Sequence, residues 1–166
     1  DAAGHKTMMT DRLRIDGEAN LPAPGEVLSF ECLSPGASFL SEWHQAEEAQ
    51  VGWFQSNFDG VSGSGGWPLQ RDLANRWITP ALMTRIMVDS LWSKCDIAGG
   101  GGLIDLAWPG TIAAGDRLRV ATLIVEARPL RSRPDLGLIG AYAVCANHRN
   151  EIVGNFKATA FLKRRQ

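Results

Sequence analysis

Apolar and polar positions along the chain divide it into two kinds of pattern. Residues 151–163 alternate: Phe156, Ala158, Ala160 and Leu162 fall on one side, Lys157, Thr159 and Lys163 on the other, the period-two signature of a half-buried strand. Residues 117–128 and 137–146 are dense in Val, Ile, Leu, Thr and Ala and predict two more strands; residues 26–33 (EVLSFECL) and the short apolar run 103–108 predict two others. Residues 147–150 (NHRN) join the last two strands as a hairpin, with Asn150 able to take a positive φ. Helical spacing appears instead over residues 80–94, where Leu82, Ile86 and Leu91 form one stripe and Met83 and Met87 a second, while Arg85 and Asp89 stand one turn apart. Thr79 as N-cap and Pro80 at the first helical position predict where this helix starts, and the run Gly99 to Gly102 where it stops.

Between the first strand and that helix, residues 39–54 carry a looser helical spacing, uncertain beyond Gly52. Residues 57–66 (NFDGVSGSGG) form a loop rich in Gly and Ser, which is either mobile or allows a ligand close to the backbone. The order is thus a strand, a helical region, one buried helix and four strands linked by short turns. One apolar helix covered by an antiparallel meander is the hotdog arrangement, an α+β fold. Such a meander leaves an open edge, and pairing of edges predicts a homodimer. Residues 1–24 read as a loose N-terminal arm before a single domain over 25–166. Asp1 to Lys6 has the look of a tag remnant, with Met8 or Met9 as the natural start.

The 166 residues, 45% hydrophobic and 21% charged, suit one soluble globular domain. A net charge of −1 gives no basic field for nucleic acid, and Lys163, Arg164 and Arg165 read as a solubilising end. No apolar run is long enough to span a bilayer. Three cysteines, Cys32, Cys95 and Cys145, without C-x-x-C spacing point to a reducing, cytoplasmic setting, and Cys145 reads as a buried hydrophobe. Neither a metal site nor a glycine-rich phosphate motif is legible, so no cofactor is expected.

Three stretches carry a family resemblance: residues 76–89 (RWITPALMTRIMVD), residues 108–118 (WPGTIAAGDRL) and residues 132–137 (SRPDLG). Taken in order, they resemble the central-helix entry, a strand-turn-strand with Gly-Asp-x-Leu, and a Ser-Arg-Pro-Asp-x-Gly turn of the MaoC-like (R)-specific enoyl-CoA hydratases and dehydratases. The resemblance implies a hotdog fold and a lyase acting on an acyl thioester, carried by CoA or a carrier protein, or on another small apolar or polyketide-like substrate. It also implies an Asp-x(4)-His dyad before the central helix that activates water, and backbone N–H groups at the start of that helix that polarise the thioester carbonyl.

This chain departs from that pattern. Asp59 matches the carboxylate, but Ser64 stands where the histidine belongs, and a hydroxyl cannot replace imidazole as an acid or base near pH 7. Ile78 occupies a position where the family often has a second histidine. The candidate catalytic residues are therefore Asp59, Ser64, His44 and Asp72, and the candidate substrate contacts are Asn57, Gly60, Trp67, Trp77, Ile78 and Thr79. Each has a plainer reading. His44, in SEWHQAEEAQ with Glu48 four residues on, belongs either to an exposed polar helix face or to a relocated acid/base group. Asp72 is either a loop charge or a polar site group, and Trp53, Trp67 and Trp77 either pack in the core or line an apolar tunnel. Two other functions stay open: a catalytically inactive hotdog binding or partner subunit, and a hotdog acyl-CoA thioesterase, which needs only one carboxylate and a helix N-terminus.

Overall fold

The computed structural model describes residues 13, 15–58 and 71–165, with the backbone alone for Gln55, Phe58 and residues 71–76. Asp59, Gly60, Ser64, Trp67 and the glycine- and serine-rich loop lie outside the described residues, as does the side chain of Asp72. The elements run β1 (Ser38–Leu40), β2 (His44–Gln45), α1 (Glu48–Phe58), α2 (Arg71–Ser90), β3 (Ile97–Ala107), β4 (Arg117–Pro129), β5 (Leu136–Asn147) and β6 (Ile152–Lys163). The strands form one antiparallel sheet in the order β1-β4-β5-β6-β3, with β2 also on β4. This is the expected hotdog arrangement of one long helix against an antiparallel sheet.

Period-two alternation separates the two faces of the sheet. Leu118, Val120, Cys145, Phe156 and Ala158 point to α2 and meet Leu82, Met83, Ile86 and Met87, all nearly or fully buried as the helical stripe predicts. Arg85 and Asp89 lie on the opposite, wet side and pair at 2.6 Å. Two glycines of the sheet are dictated by this packing. A Cβ on Gly154 would stand 2.7 Å from both Met83 Sδ and Thr79 Cγ2, so its absence lets α2 settle on β6. A Cβ on Gly137, the last residue of the Ser-Arg-Pro-Asp-x-Gly turn, would enter the Phe30 ring. Cys145 is fully buried in this core, and burial pushes its thiol up to about 12, so it behaves as a small hydrophobe.

The opposite face is covered from the N-terminal side. Leu13 is buried there with Leu40, Ala121, Leu123, Tyr142 and Val144. The buried Arg119 donates from Nη1 to the carbonyls of Ile15 and Gly17 and from Nη2 to that of Ser41, and its guanidinium lies 4.7 Å from the Trp43 ring centroid. Asn20 mimics a strand by accepting from Leu40 N–H and donating to the Ser38 carbonyl.

Four local expectations are corrected. Residues 26–33 do not form a strand. Leu28 makes a single parallel bridge to Cys95, and Phe30–Cys32 is a 3-10 turn that places the Phe30 ring on Gly137. Residues 39–54 are two short strands followed by α1; pairing with β4 overrides the loose helical spacing of the first half, and Gly52 is accommodated inside the helix, where a Gly costs about 1 kcal/mol relative to Ala. Helix α2 begins at Arg71 and passes through Pro80, whose fixed φ suits a helix although it withholds the N–H that the Arg76 carbonyl would normally receive. Gly99 to Gly102 do not end that helix but sit in β3. There Gly101 is required, because a Cβ would lie 2.9 Å from Thr159 Cγ2, and Gly102 takes φ +120°.

Candidate active site

The two helices set the frame. Helix α1 ends at Phe58, α2 begins at Arg71, and the two helices pack on each other. Asn57 is exposed and turned back on α1, its amide donating to the Trp53 carbonyl one turn earlier at 2.8 Å. Asp72 falls in the first turn of α2, the end of a helix that favours negative charge.

Farther along α2 the predicted contacts separate. Ile78 is 3% exposed and belongs to the core, as an apolar replacement of a polar family position should. Thr79 is completely buried and its Oγ1 has no hydrogen-bond partner. Because the helix starts at Arg71 and not at Thr79, the Ile78 and Thr79 N–H groups lie inside it and are not the open donors of a helix start. What Thr79 can offer is its hydroxyl. Trp77, by contrast, is half exposed, its ring tilted 50° to that of Trp108 with centroids 5.0 Å apart. Trp53 is likewise exposed on α1, so neither ring packs in the core. Trp108 was not among the candidates, although it opens the Trp-Pro-Gly stretch that carried part of the resemblance.

His44 is placed differently from the helical reading. It lies in β2 directly opposite Leu118, whose side chain is in the core between sheet and α2, so the two share that face. Helix α1 begins only at Glu48, which removes the one-turn spacing between the two. His44 is half-buried, and its Nε2 is buried without a partner. His148 sits at the β5–β6 hairpin, where Asn150 has φ +60° as expected, and its Nδ1 lies 3.8 Å from Asp116 Oδ1. Asp116 is a buried carboxylate absent from the candidates. Its Oδ2 accepts from Ala113 N–H at 2.9 Å and its Oδ1 faces Arg149 at 3.6 Å, so it locks the β3–β4 turn to the hairpin; the Gly-Asp pair of that turn was the available signal.

One cavity among the described residues, of about 240 Å³, is elsewhere: it lies between residues 13–20 and β1, lined by Leu13, Glu18, Asn20, Phe39 and Leu40 among others. No group of three His, Cys, Asp or Glu side chains among the described residues could hold a metal ion. No helix among the described residues is long and apolar enough to cross a membrane.

No protein-family model matches the chain, and neither does any curated protein. Solved structures do. A MaoC-like dehydratase from Rhodospirillum rubrum is 28% identical, with a TM-score of 0.65 over 84% of this chain and 99% of that one. The (R)-hydratase PhaJ1 of Pseudomonas aeruginosa is 16% identical, with a TM-score of 0.55 over 82% of this chain and 86% of that one. A conserved Mycobacterium tuberculosis protein with a double hotdog fold is 17% identical, with a TM-score of 0.58, and the chain spans 84% of its own length and 45% of that protein's. The last two share the fold; the first adds sequence likeness. The resemblance to MaoC-like hydratases and dehydratases that the three motifs carry therefore holds in three dimensions.

Proposed function

We propose that this chain, a hotdog protein similar to the MaoC-like dehydratases, is a lyase of the hydratase/dehydratase type acting on an acyl thioester or a related polyketide-like substrate. The observation that carries the reading is the likeness to the Rhodospirillum rubrum dehydratase, in sequence and along nearly the whole of that chain. The reaction has one proton to move. In hydration, water oxygen bonds to the β-carbon of the enoyl thioester while a base takes its proton, and a proton is delivered to the α-carbon; dehydration runs the same steps backwards. With Ser64 in place of the imidazole, Asp59 must do both, taking the proton from water and returning it to carbon. A carboxyl group that serves in both states needs a pKa raised towards the working range, which desolvation supplies.

The test is hydration of crotonyl-CoA followed by loss of enoyl absorbance. We expect a rate above the uncatalysed one but ~10²–10⁴-fold below that of a family member with the intact dyad, the usual contribution of one acid/base group. Full turnover would show that the dyad is placed wrongly, and none with any enoyl thioester would favour the inactive partner subunit.

The assembly follows from β3. It is the long open edge of the sheet, eleven residues bonded on one side to β6, and it exposes Leu103 and Ile104. The opposite edge is broken into β1 and β2, too short to template a partner. Two copies pairing through β3 form the homodimer. Light scattering should report twice the 18.0 kDa chain mass at micromolar concentration, and Ile104→Lys should shift the species towards monomer. A stable monomer of the unaltered chain overturns this.

A further inference from the structure

We infer that the basic corner where the β4–β5 turn meets the end of β6 docks the acidic face of a carrier protein, so that the thioester arrives on that protein and not on free CoA. This rests on the reading of the chain as a lyase for acyl thioesters and on its pairing through β3.

The basic run Lys163, Arg164 and Arg165 is not a loose solubilising end. Arg164 N–H donates to the Asp135 carbonyl and its Nη1 to that of Pro134, both at 2.9 Å, while Arg165 N–H donates to Glu31 Oε2 at 3.1 Å. Lys163 N–H donates to the Asp96 carbonyl, and its Nζ lies 3.1 Å from the Asp96 carboxylate. These bonds hold the run against residues 130–135, which carry Arg131 and Arg133. Five cations thus stand at one end of the sheet with three carboxylates among them. Arg133 pairs with Asp135 at 2.7 Å, Lys163 with Asp96, and Arg164 lies 3.6 Å from Glu31. Arg131 and Arg165 are exposed, and neither side chain has an acidic partner among the described residues. The Arg165 N–H holds the Glu31 carboxyl below the usual range, and the Arg133 guanidinium does the same for Asp135, so these pairs keep their charges at neutral pH. Five positive groups against three negative ones leave an excess of two, in a chain whose formal net charge is −1.

The form of the corner selects the class of partner. A phosphate is held by free donors that converge on one point. Here three of the five cations already face a carboxylate, and the two free ones sit on different segments, so charge is spread over a surface instead of focused on a point. Nucleic acid needs stacking platforms as well as charge. The aromatic ring at this corner, Phe30, is buried with the Arg164 guanidinium 5.8 Å from its centroid. Spread, pinned charge fits a partner surface of opposite sign, where it steers encounter and fixes register.

The homodimer brings this corner to the chemistry. A twofold axis normal to the sheet reverses strand direction, so the β3 edges of two copies run antiparallel. The start of one β3, where Lys163 meets Asp96, then lies by the end of the other. That end is close to α2: from the position a Cβ would take on Gly154, Thr79 Cγ2 is 2.7 Å away and the Ala107 carbonyl oxygen 3.7 Å away. A carrier protein seated on one copy therefore stands next to the first half of α2 in the other, the helix that Asp59 and Ser64 precede in sequence.

Calorimetry on the unaltered chain, with a crotonyl-loaded acyl carrier protein and separately with crotonyl-CoA, tests the inference. We expect the carrier protein to bind at least about tenfold more tightly, and its affinity to fall roughly fivefold between about 50 and 200 mM salt. Replacing the two unpaired cations, Arg131→Glu with Arg165→Glu, should weaken the carrier protein about tenfold and leave crotonyl-CoA within about twofold. Equal affinity for the two thioesters, or a carrier-protein affinity that survives both replacements, overturns the inference. So does polyglutamate or a single-stranded oligonucleotide that binds as tightly as the carrier protein. The lyase reading fails separately: docking that the replacements abolish, without hydration of either thioester, refutes the activity and keeps the surface, and hydration of crotonyl-CoA without carrier-protein binding does the reverse. Docking by a monomer refutes delivery across subunits and keeps the surface.

Discussion

Gly137→Ala is expected to destabilise the protein by about 2–3 kcal/mol, lowering Tm by roughly 5–10 °C. The added methyl would fall on Phe30 Cδ2, Cε2 and Cγ, inside the ring's own van der Waals envelope. The clash includes the ring's root, so a swing of the distal edge does not relieve it. Phe30 must leave a cluster it shares with Leu28, Leu33, Ile139 and Leu162, or β5 must part from its neighbours. The two positions should therefore be coupled. Phe30→Ala alone costs ~3–5 kcal/mol as a large-to-small change, but on that background Gly137→Ala should cost almost nothing. Thermal or denaturant melts of the two single variants and the double variant measure this directly. Additive losses would mean that the ring does not rest on Gly137 in solution.

The second large effect concerns chemistry. Asp59→Asn keeps the shape of the side chain and removes the base, and it should lower whatever lyase activity the chain has by ~10²–10⁴-fold while Tm stays within a degree or two. Ser64→His should act in the opposite direction, raising crotonyl-CoA hydration by supplying the missing titrating group. Rates and melts measured side by side separate the two effects. If Asp59→Asn retains activity within a few-fold, Asp59 is a turn residue of an Asp-Gly pair. The next groups to replace are then His44, whose buried Nε2 has no partner, and Asp72 at the start of α2.

How legible each part was in the sequence depends on how local its cause is. Strands β4, β5 and β6 follow from alternation and short turns, both properties of neighbouring residues, and so does the Leu82–Met87 stripe. The misread parts have distant causes. Gly101 of β3 is needed because Thr159 of β6 presses on that strand, a demand written some sixty residues away from it. Residues 28–32 turn where a strand was expected because Phe30 finds Gly137 across the fold. Pro80 marked a helix start only so long as nothing upstream was helical, and α2 begins nine residues before it at Arg71. Within the candidate site the chemistry-bearing types were found by resemblance. Trp108 was missed because its partner, Trp77, meets it only when α2 crosses the end of β3.

Arg119 bears on how much of the chain the fold owns. Its guanidinium is taken from water and answered by backbone carbonyls of residues 15, 17 and 41, and burial already draws its pKa below the usual arginine range. A chain begun at residue 19 would keep every strand and both helices, yet it would leave a cation inside with one carbonyl and the Trp43 face for company, and uncover the apolar wall that Leu13 and Ile15 shield. The residues that look most dispensable by their lack of helix or strand are therefore the counterweight to a charge placed in the middle of the sheet.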